Sequence, residues 1–125
     1  WRLKYVTNLL RPVTYIRRYM DARWHPLLLT PPFPEFASGH AIQSAATAEV
    51  LSAFLGDSTA FEDATHVAIG LKARRFPSFR TAAAEVGMSR VYGGIHYPMA
   101  NWTGQRQGRC VGQSVLRRVH TRKGS

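Results

Sequence analysis

A single cysteine, Cys110, rules out an internal disulfide and a multi-cysteine zinc site, so packing must hold this chain together. Acid is scarce too: seven Asp and Glu stand against seventeen Lys and Arg, a formal charge of +10. Such a surplus attracts anions, whether nucleic acid, acidic lipid or a small phosphate-like ligand, and charge alone does not choose among them. Much of it lies in Arg17, Arg18, Arg74, Arg75, Arg117, Arg118, Arg122 and Lys123, which read as solvated surface. No apolar run approaches the roughly 20 residues that span a bilayer, so no transmembrane segment is expected and a soluble protein is. The charged-then-apolar start of a secretory signal is missing as well. The compartment stays unknown, and a secreted or periplasmic bacterial protein is compatible with this reading. The chain opens without Met, inside a helical pattern, and is read as a single domain over residues 1–125, truncated at its N-terminus.

What is present is an ordinary globular composition, 45% hydrophobic, cut by Pro and Gly into four expected helices. Leu3, Val6, Leu10, Val13 and Ile16 recur at helical spacing from about Arg2 to Met20, with Pro12 as a kink or break. Trp24 to Phe36, with Pro26, Pro31, Pro32 and Pro34, must be a loop. A second helix is expected from Gly39 to Leu55, capped by Ser38 and closed by Gly56. Asp57 to Phe79 shows no clear pattern and is read as loop, with Thr65 to Leu71 a short strand or a helix start. The third helix runs from Thr81 to about Tyr92. The fourth runs from Gly104 to about His120, with Val111, Val115 and Val119 as its apolar stripe. The fold class is all-α.

Three clusters carry chemistry. Lys4 and Arg11, two helical turns apart, would project from one helix face toward one anion. Ser38, Gly39 and His40 stand at an expected helix N-terminus, where unpaired backbone N–H groups favour negative charge. Ser89-Arg90 is followed after five residues by His96, bringing a forked guanidinium near a second imidazole. Each cluster alone is matched by a bland reading: a wet helix face, a simple N-cap, a packed histidine. Their combination supplies three cations and two imidazoles, enough to hold an oxyanion and to ligate, attack or protonate at its centre.

Lys-x6-Arg-Pro at Lys4 to Pro12, Ser-Gly-His at Ser38 to His40 and Ser-Arg-x5-His at Ser89 to His96 together resemble the three signature motifs of one superfamily. It comprises the type 2 phosphatidic acid phosphatases (PAP2) and the vanadium-dependent haloperoxidases. Trp1 three residues before Lys4, the approach Pro31-Pro32-Phe33-Pro34-Glu35-Phe36, and the stretch Ser89 to Tyr97 look more like the bacterial haloperoxidase branch. The resemblance implies a helical bundle, here its C-terminal part. It also implies that Lys4, Arg11, Ser38, Gly39 and Arg90 hold the equatorial oxygens of vanadate or phosphate. His96 would ligate vanadium in a haloperoxidase or form a phosphohistidine in a phosphatase, and His40 would be the acid/base opposite. Around them, Trp1, Phe33 and Asn101 would form a supporting layer.

The sequence departs from the family pattern in places. Ala37 stands where a proline is usual, so the turn into the helix is expected to be less rigid. Asn101 takes the place of an aspartate that orients the axial histidine, which predicts a His96 that ligates better than it attacks. Phe33 stands where algal bromoperoxidases tend to carry histidine and implies a drier wall. The expected function is vanadate-dependent oxidation of halide by hydrogen peroxide. Hydrolysis of phosphate monoesters is the alternative, and a non-catalytic basic anion-binding module the second alternative. Nucleic acid is not an expected partner; a homo-oligomer is an open possibility.

Overall fold

The structure, a computed structural model, describes residues 2–119. In chain order it comprises α1 (Arg2–Thr7), α2 (Pro12–Tyr19), α3 (Gly39–Leu55), β1 (Phe61–Asp63), a 3₁₀ turn (Val67–Ile69), β2 (Arg74–Phe76), α4 (Phe79–Tyr92) and α5 (Pro98–Arg118). The helical class holds, with one small antiparallel hairpin that pairs Phe61 with Phe76 and Asp63 with Arg74. The expected first helix is two helices. Asn8, at φ 45°, turns the chain into the left-handed region, Arg11 is extended as a residue before proline must be, and Pro12 restarts the helix.

α3 and α5 pack backbone to backbone through glycine. A Cβ on Gly104 would stand 2.7 Å from the Ser38 carbonyl oxygen, and one on Gly112 2.7 Å from that of Ala46. Gly108, between them, faces Ile42 and Ala45 in the same way. Here the expected valine stripe is overturned: Val111, Val115 and Val119 are exposed, while Ala100, Asn101, Gly104, Gly108 and Gly112 form the buried face of α5. Closeness of the two backbones decides this, because only a row without side chains lets α3 lie in the groove. The core on the α3 side is correspondingly small-residued, with Ala41, Ala45 and Ala48 buried.

α4 is fixed to α3 by charge. Arg80 donates to the buried Glu49 on α3 at 2.9 Å and to Asp57 just beyond it at 2.6 Å. The hairpin folds over this end through Phe61, stacked on both Phe76 and Phe79. Of the surface cations, Arg17, Arg18, Arg74, Arg75, Arg117 and Arg118 are exposed as expected, whereas Arg122 and Lys123 lie outside the described residues. No helix among the described residues is long and apolar enough to cross a membrane.

Candidate functional site

Lys4 and Arg11 do not share a helix, yet the break between α1 and α2 brings them together. Both stack against the Phe33 ring, at 5.2 and 5.1 Å from its centroid. The Lys4 ammonium, nearly buried, directs its hydrogens to the carbonyl oxygens of Ala37 (2.7 Å), Glu35 (3.1 Å) and Pro34 (3.4 Å). It thereby ties down the loop before α3, where Ala37 in place of proline is itself buried. Burial, and then the neighbouring Arg11, lower the Lys4 pKa, with Glu35 opposing. Arg11 donates from Nε to the Phe33 carbonyl and from Nη1 to that of Ile95, both at 2.9 Å. Its Nη2 is buried without a partner among the described residues.

Ser38 is the N-cap of α3 as expected, its fully buried hydroxyl accepting from the Ala41 N–H. Gly39 opens the helix, and a Cβ there would meet nothing within 4 Å. His40 follows on an exposed surface of the same turn. Its pKa is lowered by partial burial and by the positive field of Arg90, both of which disfavour the imidazolium.

At the end of α4 the chain turns through Gly94, at φ 74° and pressed against Trp24 and Pro26, a conformation and a closeness that a side chain would not allow. This turn buries Ile95 and His96. His96 Nδ1 lies 2.6 Å from Glu35 Oε1, which also accepts from the Tyr97 N–H at 3.0 Å. On the other side of the ring, Arg11 Nη1 stands 3.3 Å from Nε2. A guanidinium only donates, and an ionised carboxylate only accepts. Those partners assign the ring proton to Nδ1 and leave the lone pair on Nε2. Burial lowers the His96 pKa against the pull of Glu35, and Arg11 and Lys4 add to the lowering.

These groups meet at a cavity of about 380 Å³ lined by Lys4, Phe33, Gly39, His40, Arg90 and His96 together with apolar Leu3, Pro31, Ile42 and Ile95. Arg11 and Ser38 are buried alongside these groups without themselves lining it. The Arg90 Nε is a second buried donor without a partner among the described residues. Positive side chains, a free helix start and two unmatched buried N–H donors are what an oxyanion requires of its host.

Of the expected supporting residues, Phe33 is on the cavity wall and Trp1 lies outside the described residues. The expectation for Asn101 is corrected. It is fully buried, but it donates to Met88 Sδ and accepts from Gln105, against Gly87 of α4, and serves the packing of α4 on α5. The carboxylate beside His96 is Glu35, from a loop sixty-one residues earlier. The sequence signal for it was an acid directly after Pro34 in an apolar approach to Ser-Gly-His, where a solvated carboxylate has no reason to be.

A profile of the VCPO second helical-bundle domain matches residues 19–123. The chain belongs to this family. Among solved structures, the first bacterial vanadium-dependent iodoperoxidase is 48% identical and superposes with a TM-score of 0.91 over 96% of the chain. Holo and apo forms of a bacterial vanadium-dependent chloroperoxidase, each 20% identical, superpose at 0.75 and 0.74 over 90% of the chain and share the fold. The chain spans 29% of the iodoperoxidase and about 30% of the chloroperoxidase chains. No protein of curated function matches it.

Proposed function

We propose that this chain carries the vanadate site of a vanadium-dependent haloperoxidase that oxidises halide with hydrogen peroxide. The observation that supports it most is the Nε2 lone pair of His96 beside a cationic cavity, with the Arg11 Nη2 and Arg90 Nε donors buried and unmatched. Such donors cost stability unless an acceptor arrives. A tetrahedral oxyanion fits them, and the open space before Gly39 gives it access to the α3 N-terminus. His96 would ligate the central atom. Arg11, Arg90, Lys4, Ser38 and the Gly39 N–H would hold its oxygens and neutralise their charge. Bound there, vanadate would supply Lewis-acid activation of peroxide without changing oxidation state.

His40, at the cavity rim, would hold or move a proton on the side away from His96. Phe33 and the apolar wall would limit water. The 48% identity to an iodoperoxidase supports iodide as the halide. A second reading, phosphate-monoester hydrolysis through His96, is favoured by one observation: Glu35 supplies the negative charge behind the imidazole that Asn101 would not. Iodide oxidation by peroxide, measured on metal-stripped protein with and without orthovanadate, tests the proposal. Vanadate-dependent turnover lost in His96→Ala supports it. Ester hydrolysis inhibited by vanadate transfers the assignment to the phosphatase.

A further inference from the structure

Glu35 is the most buried acid of the site, with no exposed surface, and its Oε2 has no partner among the described residues. A carboxylate kept out of water at this depth is costly, so its remaining bonds must repay the burial. Those bonds go to two adjacent residues, the His96 ring and the Tyr97 N–H, while the Glu35 backbone does separate work: its N–H donates to the Leu9 carbonyl at 3.0 Å and its carbonyl accepts from Lys4. One residue thus joins the α1–α2 break, the Lys4 ammonium and the imidazole.

We infer that Glu35 is the positioning residue of His96, accepting the Nδ1 proton so that the ring presents an unprotonated Nε2 to the cavity. The inference deepens the reading above and rests on it for the identity of the anion. It does not rest on it for the tautomer, which follows from the donor and acceptor chemistry of Glu35 and Arg11. Without the carboxylate, no other hydrogen-bond partner among the described residues fixes the proton on Nδ1. The ring would then divide between tautomers or turn to make a different bond, and the Nε2 lone pair would be available for only part of the time. Arg11 alone does not enforce the orientation, because its Nη1 is already shared with the Ile95 carbonyl.

The test has two arms on the full chain. In the first, the ¹⁵N spectrum of the His96 ring in the unmutated protein must show a protonated Nδ1 and an unprotonated Nε2. An Nε2-protonated ring overturns the proposal without any variant or ligand. In the second, Glu35→Gln, nearly isosteric and uncharged, is expected to weaken orthovanadate binding by roughly 10- to 100-fold. It should also shift the ring away from the Nδ1-protonated form, and Glu35→Asp should restore the form in part. Weaker binding with an unchanged tautomer would make Glu35 a loop anchor only and overturn the proposal, as would unchanged binding. If Glu35→Gln does not fold, the first arm still decides. If the unmutated chain binds no orthovanadate, the vanadate reading fails while the ¹⁵N spectrum continues to test Glu35.

Discussion

Replacing Gly108 with alanine tests how closely α3 and α5 lie. The new carbon would stand 2.8 Å from Ala45 Cβ and nearer still to the Ile42 carbonyl oxygen, a backbone atom that has no rotamer to yield. Overpacking against a backbone atom at this distance falls in the upper part of the usual range, about 2–3 kcal/mol. Alanine in a helix interior returns up to about 1 kcal/mol over glycine, so a net loss of about 1–2 kcal/mol remains. For a domain of this size that lowers Tm by roughly 4–8 °C. Gly39→Ala is the internal contrast, since its Cβ meets nothing within 4 Å. It should leave Tm within about 2 °C, the scale of a surface change of about 0.5 kcal/mol, and weaken orthovanadate binding by filling the approach to the α3 N-terminus. Thermal unfolding by circular dichroism reads both. A Gly108→Ala protein as stable as its parent, or more so, would mean that the two backbones are not in contact and would refute the packing argument.

Arg11→Lys removes the fork that serves Phe33, Ile95 and the unmatched Nη2. Losing a charge-assisted hydrogen bond of about 1.5–3 kcal/mol should weaken orthovanadate binding by roughly 10- to 150-fold in a calorimetric titration. His40→Ala should lower vanadate-dependent turnover by roughly 10²- to 10⁴-fold, the range for loss of a general acid/base, while leaving orthovanadate affinity within a few-fold; equal losses in both would place His40 among the binding groups. Arg80→Ala should cost about 1 kcal/mol at neutral pH, a modest figure because Arg80 is partly exposed. The pH sign follows from Glu49, whose pKa is held below its ordinary value of 4.5, first by the Arg80 hydrogen bond. That contribution is full above pH 4.5 and is lost as pH falls through the lower folded-state value. The stability gap between parent and Arg80→Ala should therefore narrow in acid, and a gap that widens would contradict the pairing.

Legibility followed sequence distance. α3 could be read from Ser38 to Gly56 because cap, helix formers and stop are all local. Pro12 announced a break, but not that Asn8 would open the helix four residues earlier and let Lys4 and Arg11 converge from two elements. The hairpin escaped because its strands have three residues each, too few for alternation to show. The valines of α5 misled because hydrophobicity was weighed without the backbone: Gly104, Gly108 and Gly112, spaced by four, marked the buried face. The candidate site residues from Lys4 to His96 were legible as motifs. Glu35 was not, because its role depends on a partner sixty-one residues away and on a loop whose prolines erase any periodic signal.

The most direct test of the vanadate site is a crystal structure of the chain soaked in orthovanadate, with phosphate-free buffer and an anomalous map at the vanadium edge. The account predicts one peak at bonding distance from His96 Nε2, its oxygens reached by Arg11, Arg90, Lys4, Ser38 and the Gly39 N–H. A saturated crystal with no peak at His96, or with its peak elsewhere, would contradict it.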